Sequence, residues 1–500
     1  MRRGEELELG LAGRPAGVSL QRWLYGELRA AILAGRIPAG RRLPSTRELS
    51  RQQGVSRGTV IAVYEQLVAE GYLAGTPGSG TRVQASLPTR PARVPRHDRL
   101  SDSERARRAL SQQGKRLAAS PFPTAEAGYP PRPFRPNQPD LAAFPMATWN
   151  ALAHRSAKAT GPAALGYGDA AGYRPLREAI AGHLRYAQRI ACSADQVMIL
   201  GSAHQALDLC ARLLLDPGQA VLVEDPGFPA ASHLFGAAGA DVVGVPVDAA
   251  GLMTEPPLPI DPRLRLAYVT AAHQSPLGGT LPIERRLALL AWAEACDALI
   301  IEDDYDGEFR YTGTPLSALK SLDRAERVIY MGTFSKLLFP ALRLAYLVVP
   351  EWLADPFAAA LSLTSRHVAL APQRVLSRFI ADGHFARHLR HMRQHYGERA
   401  ELFQDACAAH LSGWLSILPI TTGLDAAGIL PRGSDDRAVA SWLNAQGIET
   451  RPLSFYRVCH AAPPGLVLGF SAFDAPALRT GVAHMARAFE SFAWPAPAAS

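Results

Sequence analysis

Lys336 stands in the run Gly332-Thr333-Phe334-Ser335-Lys336, and Arg343 follows seven residues later. The acidic run Glu302-Asp303-Asp304-Tyr305-Asp306 precedes it. A primary amine condenses with an aldehyde. A neighbouring hydroxyl and a spaced guanidinium take up a phosphate, and an upstream carboxylate keeps a pyridine nitrogen protonated. Together these groups are what a pyridoxal phosphate site requires. The chain holds only four lysines, at positions 115, 158, 320 and 336, and only Lys336 has this setting. Ser-Lys alone is common; the spacing to a strand-end carboxylate gives it weight. If turnover occurs, the same amine is the acid–base group.

Those residues need a scaffold. Short apolar runs at 197–200, 220–223, 266–269, 298–301 and 328–331 read as buried strands, with helical patterns between several of them, such as 203–215 and 283–296. The pattern predicts an α/β domain with a mostly parallel sheet and its ligand at the strand carboxyl ends. Asp303 falls at such an end, and Tyr305, two residues on, is placed to meet the ring oxygen. The turn Gly201-Ser202-Ala203-His204 opens a helix whose N-terminal N–H groups suit a phosphate. Phe228, after the strand at 220–223, can stack on a ring. The bland alternatives are a surface acidic cluster at 302–306 and an ordinary core Phe at 228.

The first quarter of the chain is different. Residues 1–120 hold 21 Lys and Arg against 10 Asp and Glu, a net of +11, while the remainder holds 32 against 35, a net of −3. That is the footprint of a polyanion binder. Apolar residues recur at helical period at Leu20, Trp23, Leu24, Leu28, Ile32 and Leu33. Ser45 or Thr46 can cap a helix over 46–53, Gly54 ends it, and Ser56 can cap another running to about Glu70. A hairpin follows, turning at Thr76-Pro77-Gly78-Ser79-Gly80. This is a winged helix–turn–helix over 18–84. In such a domain the second helix enters the major groove, so Ser56, Arg57 and Thr59 point to base edges or phosphates. Arg47 is a further DNA contact, and Gly78 and Gly80 allow the wing a close approach. Residues 85–132, rich in Arg and Pro, read as a linker with a short helix near 102–118.

The N-terminal segment resembles the GntR-type winged helix domain, on Leu43-Pro44-Ser45-Thr46-Arg47-Glu48-Leu49, Val55-Ser56-Arg57-Gly58-Thr59-Val60 and Glu70-Gly71-Tyr72-Leu73. Residues 133–500 resemble the aminotransferase-like domain of fold-type I pyridoxal phosphate proteins, with a smaller C-terminal subdomain. The motifs are Tyr167–Arg177, Glu224–Phe228, His273-Gln274-Ser275-Pro276, Glu302–Tyr311 and Thr333–Lys336 with Arg343. Joined, they resemble the MocR/GabR family of transcription regulators. The resemblance implies a Schiff base at Lys336, the pyridine nitrogen on Asp303, and Tyr305 by the ring oxygen. It further implies a phosphate held by Ser335, Arg343 and the 202–204 turn, a stacking Phe228, and Tyr167 reaching the partner subunit's site. It also implies a homodimer on double-stranded operator DNA.

One departure matters. The aminotransferases and the GABA-responsive member clamp a substrate carboxylate with an arginine near the last strand, whereas Gly465–Ser471 here contains none. Ala230 likewise stands where the GABA-responsive member has a second arginine. Without a bidentate clamp an amino acid loses its charge-assisted anchor; Arg451 and Arg366 are the candidates to replace it. Three readings follow. One is a regulator that senses pyridoxal phosphate or an amino compound. Another is a working aminotransferase with an accessory DNA-binding domain. The last is an aminotransferase fold that holds no cofactor. The five cysteines show no paired metal-ligand spacing, so no metal is expected. With no apolar leader after Met1 and no apolar run of about 18 residues, the chain reads as cytoplasmic, without a membrane span.

Overall fold

Hydroxyl caps and glycine stops set the N-terminal unit. The computed structural model describes residues 11, 13–15, 17–76, 80–85, 102–123, 128–313 and 317–494, and divides into units 1–104 and 105–500. In the first unit α1 (Leu20–Leu33) starts at Ser19, which accepts from the Arg22 N–H. Helix α2 (Thr46–Gln53) starts at Ser45 and stops at Gly54, whose φ of +62° favours glycine. Helix α3 (Arg57–Ala69) starts at Ser56. Strands β1 (Leu73–Thr76) and β2 (Gly80–Val83) pair antiparallel, Leu73 opposite Val83. Leu24, Leu28 and Ile32 pack with Leu49, Val60, Val63, Leu67 and Leu73 in one small core. Leu20 and Leu33, assigned to the same stripe by period, lie exposed at the two ends of α1.

Two helices, α4 (Asp102–Ala109) and α5 (Gln112–Ala118), occupy the segment read as one short helix, because Ser111 starts a second one by accepting from the Gly114 N–H. The larger unit continues with α6 (Met146–Lys158), α7 (Arg174–Ala187), β3 (Val197–Leu200), α8 (Ala203–Leu214), β4 (Ala220–Asp225) and α9 (Pro229–Ala238). Next come β5 (Asp241–Asp248), β6 (Gly251–Leu252), β7 (Leu264–Val269), α10 (Ile283–Ala295), β8 (Leu299–Asp304) and α11 (Leu319–Leu322). Then follow β9 (Val328–Thr333), α12 (Phe334–Leu337), β10 (Ala345–Val348), α13 (Ala354–Thr364), α14 (Leu370–Ala381) and α15 (His384–His410). The chain closes with β11 (Ser416–Ile417), β12 (Asp425–Ile429), α16 (Asp436–Ala445), β13 (Arg451–Pro452), β14 (Gly465–Gly469) and α17 (Ala475–Glu490).

The large sheet runs β3-β10-β9-β8-β7-β4-β5-β6. Strands β5, β4, β7, β8 and β9 are mutually parallel, and β10 is antiparallel to both β3 and β9. Its inner strands are apolar on both faces, as a sheet covered by helices on both sides must be. Val221, Val223, Leu266, Tyr268, Leu299 and Ile301 pack towards α8 and α9. Leu222, Ala267, Val269 and Ile300 pack towards α10. A smaller antiparallel sheet, β11-β12-β14-β13, forms the C-terminal subdomain with its own core.

Candidate functional site

Alternation along β8 sorts its acidic end. Asp303 shares the parity of Leu299 and Ile301 and faces the α8–α9 side, while Glu302 and Asp304 face the other. Glu302 accepts from the Leu319 and Lys320 N–H groups at 2.7 and 2.8 Å. Asp304 accepts from the Tyr330 hydroxyl at 2.7 Å and the Gly307 N–H at 2.9 Å. Both are fully satisfied fold residues. Asp303 is not: its Oδ2 accepts from the Tyr268 hydroxyl at 2.5 Å, while its buried Oδ1 has no hydrogen-bond partner among the described residues. Burial pushes the Asp303 carboxyl up to about 7, the Tyr268 hydrogen bond opposing and the charges of Asp304 and Asp306 adding to it. A buried, partnerless carboxylate oxygen at a strand's carboxyl end is a socket for a cationic N–H.

The one-turn helix α12 carries Ser335 and Lys336 directly off the end of β9, and Thr333 caps it by accepting from the Ser335 N–H at 3.2 Å. Lys336 Nζ donates to the Asn137 carbonyl at 2.9 Å. The Asn137 N–H in turn donates to Asp425 Oδ1 at 2.8 Å, so the amine is held from the C-terminal subdomain's side as well. Burial raises the Asp425 carboxyl, against the Asn137 hydrogen bond and the charge of Lys336.

On the next strands, Ser202 caps α8 by accepting from the Gln205 N–H at 3.1 Å. Ala203 and His204 fill the first turn, whose N–H groups have no intrahelical acceptor. Antiparallel pairing of β3 with β10 brings the Arg343 loop to this turn, so that a Cβ on Gly201 would sit 4.0 Å from the Arg343 carbonyl. Arg343 adopts φ +52°, and its side chain is exposed. Loss of water, then the charges of Arg343 and Lys336, press the His204 imidazole below its ordinary value. The turn therefore lies in the positive field that a phosphate needs. The Phe228 ring sits edge-on to His204 at 5.8 Å and tilted against Tyr268 at 6.5 Å.

Tyr305 faces His273, ring to ring at 5.5 Å, its hydroxyl 3.1 Å from Nδ1. His273 is buried against Asp306 at 2.7 Å. Burial alone would depress the imidazole, but the Asp306 charge and hydrogen bond outweigh it and raise the pKa. Tyr167 stands apart: it is 83% exposed, with the Arg366 guanidinium 5.2 Å over its ring. Arg451 lies opposite Val467 on β14 and over the Phe455 ring at 5.1 Å.

Asn137, Tyr268, Asp425 and Phe122 escaped the sequence reading. Phe122 packs edge-on against His204 at 5.4 Å and Phe455 at 6.2 Å, and α5 before it lies along α9, Arg116 reaching the Gly236 carbonyl. The stretch read as linker thus meets the edge of the site. Arg399 was missed too; it is spent on the Ser471 carbonyl and on Asp140, 2.8 Å away.

In the smaller unit Arg47 and Arg57 are exposed at the starts of α2 and α3. The Ser56 hydroxyl accepts from the Thr59 N–H at 3.1 Å and shares a hydrogen bond with the Thr59 hydroxyl at 2.8 Å, so both hydroxyls serve the cap. Gly80 has φ +84°, and a Cβ there would meet Arg42 Nε at 2.6 Å. Gly78 lies outside the described residues. Arg42 pairs with Arg82 in an extra bridge to β2, a basic edge that only folding assembles.

Residues 136–463 match the family described as aminotransferase class I and II, and residues 20–83 match bacterial regulatory proteins of the gntR family. The chain is 40% identical over 95% of both lengths to the probable rhizopine catabolism regulatory protein MocR of Rhizobium meliloti. It is 33% identical to the HTH-type pyridoxine biosynthesis transcriptional regulator PdxR of Corynebacterium glutamicum, over 94% of this chain and 96% of that one. Among solved structures, kynurenine aminotransferase of Pyrococcus horikoshii, in complex with PMP, superposes with a TM-score of 0.69 at 25% identity, covering 78% of this chain and 98% of that one.

Proposed function

The chain belongs to the MocR-type HTH regulators, a gntR-family DNA-binding domain fused to a class I and II aminotransferase domain, and on that premise we propose that it binds pyridoxal phosphate in the larger unit to control operator binding by the smaller. The observation that carries the reading is the buried Asp303 Oδ1, without a partner among the described residues. Bound there, the cofactor supplies a protonated pyridine ring that acts as an electron sink. Asp303 keeps the proton on the ring nitrogen, and Tyr268 orients that carboxylate. Lys336 supplies the amine and Phe228 an apolar wall. Ser202, Ser335, Arg343 and the N–H groups of Ala203 and His204 take the phosphate. Tyr305, turned by His273, addresses the ring's hydroxyl. Tyr167, exposed on one subunit, serves a partner's site in a homodimer.

Arg47, Arg57, Ser56, Thr59 and the wing at Gly78 and Gly80 meet the DNA, two winged helices reading paired half-sites in the cytoplasm. A missing carboxylate clamp favours pyridoxal phosphate itself as the signal over an amino compound, and a pyridoxine biosynthesis regulator among the relatives supports that choice. The competing reading, a working aminotransferase, keeps its acid–base residue in Lys336 but has no guanidinium in Gly465–Ser471 to anchor an amino acid.

The test is a spectral titration of the protein and of Lys336→Ala with pyridoxal phosphate, with and without operator DNA. The expected result is a visible chromophore and a borohydride-stable label at Lys336, both absent in the variant. Cofactor affinity should also shift when operator is present, because coupling is reciprocal. A label retained in Lys336→Ala refutes the assignment. Identical affinities with and without operator remove the cofactor from regulation. Rapid, complete exchange of amino donor and keto acid establishes the enzyme instead.

A further inference from the structure

We propose that Asp225, Cys459 and His460 form a binding site for one borderline-soft divalent cation of the zinc type, placed between the end of β4 and the loop that follows Tyr456. The three ligand atoms, a carboxylate oxygen, a thiol sulfur and a ring nitrogen, all lie within 4.8 Å of one another. Cys459 Sγ is 3.3 Å from His460 Nδ1, which is 3.1 Å from Asp225 Oδ2. With metal–ligand bonds of about 2.0–2.3 Å, the edges of a zinc tetrahedron measure roughly 3.3–3.6 Å. The two edges that meet at Nδ1 need to open by only a few tenths of an ångström, and the third, from Cys459 Sγ to Asp225 Oδ2, lies within 4.8 Å. Cys459 is exposed, and the His460 side chain is 43% exposed, so they can move and a cation can enter. The fourth position is left to water.

The cage has a fixed side and a floor. The Val458 N–H donates to Asp225 Oδ1 at 2.8 Å, and the Cys459 and His460 N–H groups donate to Oδ2 at 2.7 and 2.6 Å. These bonds fix the orientation of the carboxylate, and a cation at Oδ2 would take the place of the His460 ring hydrogen bond. Gly244 on β5 forms the floor. A Cβ there would stand 2.8 Å from Asp225 Oδ2 and 3.0 Å from Cys459 Sγ. Any side chain would fill the space between the donors.

A hydrogen-bonded catalytic triad does not account for this arrangement. Sulfur and carboxylate address the same ring nitrogen, so the imidazole cannot pass a proton from one face to the other. A bound cation takes Cys459 as the thiolate. On binding, the Cys459 Sγ–H proton leaves to solvent and the ring proton resides on Nε2, freeing Nδ1 as a donor. The spacing of cysteines in the sequence could not reveal such a site, because its acidic ligand lies more than two hundred residues before the other two.

The test uses the full chain, free of any affinity tag and stripped by dialysis against a chelator, titrated with cobalt(II) and then zinc. One cobalt per chain should bind, with the visible bands of a tetrahedral site and a thiolate charge-transfer band, and zinc should displace it. Cys459→Ser should abolish the charge-transfer band. His460→Asn and Gly244→Ala should each weaken binding by more than roughly tenfold, since even outer partners of a metal ligand are worth about 10–100-fold. Melting curves of the two exposed-site variants should match the wild type without metal. Cobalt that binds Cys459→Ser with the wild-type spectrum and affinity, or a wild type that shows no thiolate band at saturating cobalt, would overturn the proposal. The first of these outcomes marks an adventitious surface cation.

Discussion

Asp303→Asn separates what that carboxylate costs from what it does. The folded protein holds the Asp303 proton up to about pH 7, against an ordinary aspartate value of 3.8. Between those values the native state binds more protons than the unfolded one, so stability falls as pH rises through that window. At about 1.36 kcal/mol per unit, the cost approaches about 4 kcal/mol by pH 7, of which roughly 2–3 kcal/mol accrues above pH 5. The asparagine never ionises, and its carbonyl can still accept from Tyr268. Its amide is left without a partner, at about 1–3 kcal/mol, but that penalty is the same at every pH. Glu224 and Glu302, each pushed up to about 7 by burial, and Asp304, pushed up to about 6, are present in both proteins and cancel to first order. Urea unfolding of the cofactor-free larger unit at pH 5 and pH 8 is the assay. The wild type should lose roughly 2–3 kcal/mol more than Asp303→Asn across that interval. Saturation with pyridoxal phosphate should flatten the wild-type curve and leave the variant unmoved. Parallel pH curves for the two proteins would refute both the buried ionisation and the socket built on it.

Arg57→Ala should reduce discrimination between operator and random DNA by about 1–3 kcal/mol if its guanidinium reads a base; unchanged discrimination in a competition binding assay removes it from the readout. Ser56→Ala loses the cap on the Thr59 N–H and should destabilise the N-terminal unit by about 1 kcal/mol, read as an earlier unfolding transition of that unit in urea. Arg286 is buried and donates to the carbonyls of Leu281, Ser317 and Ala271 at 2.7, 2.7 and 2.9 Å. Arg286→Met strands the Leu281 and Ser317 carbonyls, while the Ala271 carbonyl keeps the Leu281 N–H at 3.0 Å, and should cost at least about 2 kcal/mol in the larger unit, measured by the same urea titration. Phe122→Ala should cost about 0.5–1.5 kcal/mol of aromatic contact and open the 112–122 segment to limited proteolysis; unchanged cleavage there argues that the ring does not hold the segment down.

Local chemistry was readable from the sequence and partnership was not. Ser45, Gly54 and Ser56 mark their helix ends because capping needs only neighbours three residues away. Asp303 and Lys336 stood out because strand ends and one-turn helices are local too. Strand β10 went unread: the six apolar residues after Arg343 say nothing about insertion between β3 and β9, and that insertion is what carries the Arg343 loop to Gly201. Strand β5 hid behind Gly244 and Pro246 and its partly exposed edge. Nor could spacing show that, of Glu302, Asp303 and Asp304, only Asp303 keeps a buried oxygen without a partner among the described residues, because its two neighbours are satisfied by Tyr330 and by the amides of Gly307, Leu319 and Lys320, all set by tertiary packing. Asn137 reaches Lys336 across 199 residues of sequence.

Helix α15 is 27 residues long, a rod of about 40 Å. Its first half, Phe385, Leu389, Met392 and Tyr396, is packed into the core beneath Lys336, and its second half, Ala400, Phe403 and Cys407, into the core of the C-terminal subdomain. One beam therefore sits in two sockets. Between them lies Gly397, with the Tyr311 ring 3.5 Å from where its Cβ would be and the Tyr311 hydroxyl tied to the Gly423 carbonyl. Glycine weakens a helix by about 1 kcal/mol relative to alanine, so the beam is most compliant at the fulcrum. Any bend between the two cores would fall most readily at Gly397, against the Tyr311 ring.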